Sequence, residues 1–119
     1  MDKSRNYLEN LDNIFNGDMA LILKACQSFI KHSKTYMEAL HNAHRQKNIS
    51  EIKRIAHSFK ASFAMFGDTD AQKAACELEQ IRADGPWDEY DIKIKRFDEH
   101  LQSTVNSVQS ILDSSFKDT

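Results

Sequence analysis

The stretch IAHSFKASFAMFG, residues 55–67, carries an imidazole and an ammonium three residues apart, His57 and Lys60. Apolar residues recur around them at Ile52, Ile55, Ala56, Phe59, Phe63 and Phe66, steps of three and four that place them on one face of a helix. At about 100° per residue, His57 points roughly 140° away from that face. It shares the outer side with Lys53, Arg54, Lys60, Ala61 and Ala64. Ala61 and Ala64 follow the histidine at i+4 and i+7 and leave the flank of the ring clear, while Lys60 at i+3 sets an ammonium one turn away. Lys53, Arg54 and Lys60 surround the ring with no carboxylate among them. A histidine side chain with its ordinary pKa of about 6.5 is mostly neutral, hence nucleophilic, at pH 7. An exposed, uncrowded imidazole in basic surroundings suits attack on an anionic phosphoryl group. It suits a metal poorly, because this face offers no second ligand. The same pattern also fits an ordinary surface histidine beside alanines that only favour helix.

The other candidate groups carry less. His41 and His44 lie at i and i+3 on one side of a helix, but no carboxylate or thiolate spacing completes a metal site with them or with His100, so none is expected. Ser58 and Ser62 lack a base-and-orienter pair for nucleophilic catalysis. The Phe and Met residues before Gly67 read as core. Cys26 and Cys76 form no CxxC pair and are expected to be buried, reduced thiols. No phosphate-binding loop, kinase glycine loop or acidic receiver pocket is present, so no ATP-dependent activity is expected.

The elements that must position His57 are helical throughout. A short helix carries Tyr7, Leu8, Leu11, Ile14 and Phe15 and ends at Gly17, with Asp18 capping the next. From Met19 to about Lys47 the pattern fits one long helix, or two with a joint near residues 32–35. Asn48 starts the helix of His57, with Glu51 reaching back in a capping box, and Gly67 ends it. A second capping box at Thr69–Gln72 opens a helix with Ala71, Ala74, Ala75, Leu78 and Ile81, stopped by Asp84–Pro86. The last helix begins near Trp87 and runs to about Leu112 on the seam Ile94, Phe97, Leu101, Val105, Val108 and Leu112. Short connections make neighbours antiparallel. The expected fold is all-α: one domain over residues 1–119, an antiparallel up-and-down four-helix bundle with one or two additional N-terminal helices.

Composition supports this and closes off other classes. Three glycines and one proline in 119 residues leave little room for loops. A net charge of −2 without blocks of like charge gives no nucleic-acid footprint. No apolar run reaches membrane-spanning length, and MDKSRNYLENL has no apolar signal region. Neither a membrane nor export is therefore expected, and the location expected is cytoplasmic.

The segment AHSFKASFAMFG resembles the signature of the histidine-containing phosphotransfer (HPt) domain family, A-H-x-L-K-G-S-S-A-x-x-G. Ala56, His57, Lys60, Ser62, Ala64 and Gly67 match directly, and Phe59 replaces one large apolar residue by another. ACELEQI, residues 75–81, resembles the end of the family's next helix. FNGDMALILKACQSFI resembles its Gly-Asp segment before a helix ending in phenylalanine. The likeness covers about residues 8–112. It departs at Ala61, where the family has glycine, and at Phe63, where it has serine. Alanine is small enough to keep the site open; Phe63 thickens the core or alters the partner surface. The resemblance implies that His57 accepts a phosphoryl group through Nε2 from an aspartate on the receiver domain of a hybrid histidine kinase. The group then passes to the receiver domain of a response regulator. On this reading Lys60 stabilises the phosphoryl group. Lys53, Arg54, Ala61 and Ala64 form the docking face, although Lys53 and Arg54 also read as plain solvated charges, and Gly67 is structural. The chain needs no cofactor of its own, and Mg²⁺ belongs to the partner receiver. The rival reading is a non-catalytic helical adaptor whose histidine is unused.

Overall fold

The computed structural model describes residues 2–117, and among them every regular element is a helix. They are α1 (Ser4–Phe15), α2 (Met19–Arg45), α3 (Ile49–Phe66), α4 (Thr69–Leu78) and α5 (Trp87–Lys117). Cross-helix pairs give the directions. Phe29 meets Phe66 while Tyr36 meets Phe59, and His44 meets Asp91 while His41 meets Asp98. In each set one number rises as the other falls, so α2 runs antiparallel to both α3 and α5. Arg96 with Glu77, and Tyr90 with Arg82 in the connection after α4, say the same of α4 and α5. Helices α2–α5 form the four-helix bundle, and α1 is the one additional N-terminal helix, packed on α2, α3 and α5.

The apolar stripe of α3 is the centre of the core. Ile52, Ile55, Ala56, Phe63 and Phe66 have no exposed surface, and Phe59 is 3% exposed. Phe59 and Phe63 stack on each other and both meet the edge of Phe97, while Phe66 stacks on Tyr7. Phe63 thus thickens the core and takes no part in the outer face. Helix α2 is continuous, with no joint at residues 32–35. Ser33 is tolerated in its buried middle because its hydroxyl donates to the Phe29 carbonyl at 2.7 Å.

The helix ends follow the sequence with corrections. Asp18 and Asn48 cap α2 and α3 by accepting from Leu21 and Glu51 N–H groups. Glu51 does not reach back to close a capping box; its carboxylate goes to Arg54. The cap of α4 is Asp68, not Thr69, and accepts from Ala71 N–H at 3.1 Å. Helix α4 stops at Leu78, before Ile81, because the Tyr90 hydroxyl takes the Arg82 N–H at 2.8 Å and donates to Gly85. Helix α5 runs five residues beyond Leu112. Ile14 is exposed, and Val105 is only half-buried in the α5 seam. Cys26 is buried, which pushes its thiol up to about 11, but Cys76 is only half-buried.

Gly67 ends α3 at φ 76°, and a Cβ there would run into Nδ2 of Asn10. That amide is already engaged, donating to Asn6 and to the Phe66 carbonyl at 3.0 Å each. The left-handed backbone favours glycine here, and a side chain would in addition displace the Asn10 amide from these two bonds.

Asp68 follows at once and fastens α1 to the α3–α4 turn. Its buried carboxylate accepts from the Tyr7 hydroxyl and pairs with Lys3 at 3.3 Å. Burial alone raises the Asp68 carboxyl, but the Tyr7, Ala71 and Lys3 donors outweigh it and hold it below the usual carboxylate value. A group so depressed stabilises the fold fully above its ordinary pKa of about 3.9, and that contribution disappears as pH falls through the lower folded value. Tyr7→Phe leaves a buried carboxylate one donor short and is expected to cost about 1–3 kcal/mol at pH 7. Urea unfolding of both proteins should show that gap at neutral pH and a narrowing of it below about pH 4. An equal midpoint at pH 7 would remove Tyr7 from the latch.

Candidate functional site

Packing of the α3 stripe turns His57 outward, and its side chain is 75% exposed. Ala61 and Ala64 are exposed beside it on the same helix. The ring is not free of carboxylates, however. Glu79, in the turn that ends α4, lies with Oε1 2.6 Å from Nδ1 of His57. Its other oxygen, Oε2, accepts from Nζ of Lys60 at 3.0 Å. A carboxylate can only accept, so the His57 contact requires the proton on Nδ1. In the neutral ring Nε2 is then left with its lone pair.

Glu79 is only 21% exposed. Burial alone raises its carboxyl, but the Lys60 and His57 hydrogen bonds prevail and hold it below the usual range. The Glu79 hydrogen bond in turn raises the Lys60 ammonium. At neutral pH the site therefore presents an anion between an imidazole and a cation.

The sequence reading placed three cations around the ring, and the structure brings in one of them. Lys60 joins His57 through Glu79. Arg54 instead is held by Glu51, with Nε 3.0 Å from Oε2, and its guanidinium lies 5.7 Å from the centre of the Tyr36 ring. Lys53 is half-buried, and no ion pair to it occurs among the described residues. Ser58 donates to the Arg54 carbonyl at 2.9 Å and is spent within the helix. Met65 is half-buried and lines an open groove between α2 and α3 with Phe29, His32, Tyr36 and Phe59, whereas Phe63 and Phe66 are core. His41 and His44, which lacked carboxylate partners by spacing, each face an aspartate from α5: Asp98 at 3.4 Å and Asp91 at 2.7 Å.

Glu79 is the site residue that the sequence reading missed. It stands 22 residues from His57 on a different helix, so no local spacing marks it. A signal was present in the hairpin itself. His57 lies ten residues before Gly67 and Glu79 twelve after it, so folding the chain at that glycine brings the two opposite each other.

The Hpt domain family model matches residues 24–110 of the chain. The chain belongs to the Hpt domain family. No curated protein and no solved structure matches it. The matched span begins inside α2 and contains all of α3 and α4, so it holds His57, Lys60 and Glu79 and leaves α1 outside. Hpt domains are phosphotransfer domains of two-component signalling, carriers that interact with receiver domains. Among the described residues no helix is long and apolar enough to cross a membrane.

The clear flank of this Hpt domain's exposed histidine has a testable consequence at Ala61. Ala61→Arg keeps good helix propensity at an exposed position and should alter stability by about 1 kcal/mol or less. Electrostatics alone predicts tighter association with an acidic receiver pocket, while sterics predicts a blocked approach. Sterics should win, because displacing reacting atoms by about 1 Å costs on the order of 100-fold in rate. The check is the rate of phosphoryl transfer from one labelled receiver to wild type and variant, both shown to be folded. Equal rates would mean that the alanines serve only the helix.

Proposed function

We propose that this Hpt domain is a phosphorelay intermediate. It accepts a phosphoryl group on Nε2 of His57 from a receiver-domain aspartyl phosphate and passes it to an aspartate of a second receiver domain. The observation that carries this reading is the exposure of the His57 ring together with the contact of its Nδ1 to Glu79. The ring stands three-quarters open while Nδ1 is engaged by Glu79, so the nitrogen offered to a partner is the one with the lone pair.

The chemistry asked of the chain is small. Nε2 forms a bond to phosphorus as the bond from phosphorus to the aspartyl oxygen breaks, and the aspartate leaves as a carboxylate. The return step is the same exchange on another aspartate. Such transfers depend on alignment and on stabilising charge over the phosphoryl oxygens. Lys60 is the cation on the chain near enough to serve, once its ammonium turns from Glu79 to the incoming group. Ala61 and Ala64 give the receiver close approach, with Lys53 and Arg54 at the N-terminal side of the same helix as docking charges. Mg²⁺ comes with the receiver, and the relay operates in the cytoplasm.

His57→Gln should keep the helical circular-dichroism spectrum and take no label from a phosphorylated receiver. Undiminished labelling of that variant would place the acceptor elsewhere. Lys60→Ala should be labelled tens-fold more slowly, on the order of 2 kcal/mol of transition-state stabilisation, with unfolding unchanged. Unaltered kinetics would reduce Lys60 to a surface charge.

A further inference from the structure

We infer that His57 also takes a phosphoryl group directly from phosphoramidate, a small donor whose phosphorus is bonded to nitrogen, with no receiver domain and no Mg²⁺ present. The inference rests on His57 as the acceptor, as read above, and gives that site a second class of substrate.

The balance of the step sets what such a donor needs. The nitrogen of phosphoramidate is protonated and leaves as neutral ammonia. Nε2 of His57 forms its bond to phosphorus as the phosphorus–nitrogen bond breaks, and the electron pair of that bond departs on the ammonia. The proton on Nδ1 stays in place, and the ring takes up the positive charge that the donor's nitrogen loses. No departing anion has to be stabilised, so the task a metal ion performs for a leaving carboxylate falls away. What remains is access to a lone pair and charge to hold the phosphoryl oxygens.

The five histidines of the chain differ in both respects. The His57 side chain is 75% exposed and makes its contact through Nδ1, so the nitrogen farther from the backbone is the one left open. His41 and His44 do the reverse. They present Nε2 to Asp98 at 3.4 Å and to Asp91 at 2.7 Å. A carboxylate there repels an anionic donor, and the remaining nitrogen, Nδ1, sits against the side chain's own Cβ. His100 is half-buried in a groove that also holds Asp70 and Glu77. His32 comes nearest to His57, being exposed with Nδ1 3.3 Å from the Ser28 hydroxyl.

Charge separates these last two. One turn to either side of His32 stand Ser28, Phe29, Thr35 and Tyr36, none of them a cation. The corresponding neighbours of His57 are Lys53, Arg54, Lys60 and Ala61. The Lys60 ammonium is already drawn to the ring, 3.0 Å from the carboxylate that meets Nδ1. That ion pair is partly open to solvent and therefore weak, so the ammonium can turn to an arriving phosphoryl group. Among the described residues His57 alone joins an open Nε2 to a cation held beside the ring.

The test incubates the whole chain with potassium phosphoramidate and a metal chelator at about pH 8, where imidazoles are neutral, with no receiver added. Phosphorylation is followed by ³¹P NMR and assigned to residues by mass spectrometry without acid. His57 should be labelled about 10-fold faster than any other histidine, and Lys60→Ala should slow that labelling by about 10-fold. His57→Gln should lose the fast phase entirely. Labelling spread evenly over the histidines, or a wild-type rate in Lys60→Ala, would overturn the inference. So would no label at His57 in a preparation that a phosphorylated receiver does label, and the phosphotransfer reading would then stand. Label at His57 from phosphoramidate with none from any receiver would uphold the inference and overturn that reading.

Discussion

Burial of one face of α3 is the constraint on which the rest of the molecule depends. Six apolar residues of that helix are buried, and three of them are phenylalanines held by aromatic contacts to α1, α2 and α5. A face so filled leaves α3 one rotational setting about its axis. His57, on the far side, is thereby aimed at solvent, and its one polar contact there is the Glu79 carboxylate at Nδ1. The cost of rotating α3 is the exposure of Phe59, Phe63 and Phe66, each a large apolar side chain. Rigidity at the core thus becomes precision at the surface.

The second layer of control is electrostatic and comes from the neighbouring helix. The α3–α4 hairpin, closed at Gly67 and Asp68, is what brings Glu79 alongside His57. Asp68 does this as the cap of α4 and, through Tyr7 and Lys3, as the anchor of α1. The N-terminal helix, which lies outside the family match, is in this way fastened to the turn that sets the register of the site.

Much of this was legible in the sequence, for physical reasons that differ from residue to residue. The α3 stripe, the caps Asp18 and Asn48 and the terminator Gly67 rest on local rules of helix geometry, and the structure has each of them as expected. The uncrowded flank of His57 was readable because i+4 and i+7 are fixed by the helix itself. What spacing could not show lay between helices. The cap bond of Asp68 to Ala71 is local and was open to reading, but its buried pairing with Tyr7 spans 61 residues and was not. Arg54 read as part of the site until Glu51 and Tyr36 claimed its guanidinium. Glu79 was invisible beside His57, and the ring's surroundings read as purely basic, because a carboxylate supplied by another helix leaves no mark on the periodicity of α3.

The central claim is that the lone pair of Nε2, exposed and set free by the proton on Nδ1, is the acceptor. The most direct measurement is the site of the nitrogen–phosphorus bond in the phosphorylated protein, read from ¹⁵N–³¹P coupling in ring-labelled histidine. The account predicts phosphorus on Nε2 of His57, in a linkage lost in acid and stable to base. Phosphorus on Nδ1, the nitrogen that faces Glu79, would contradict it.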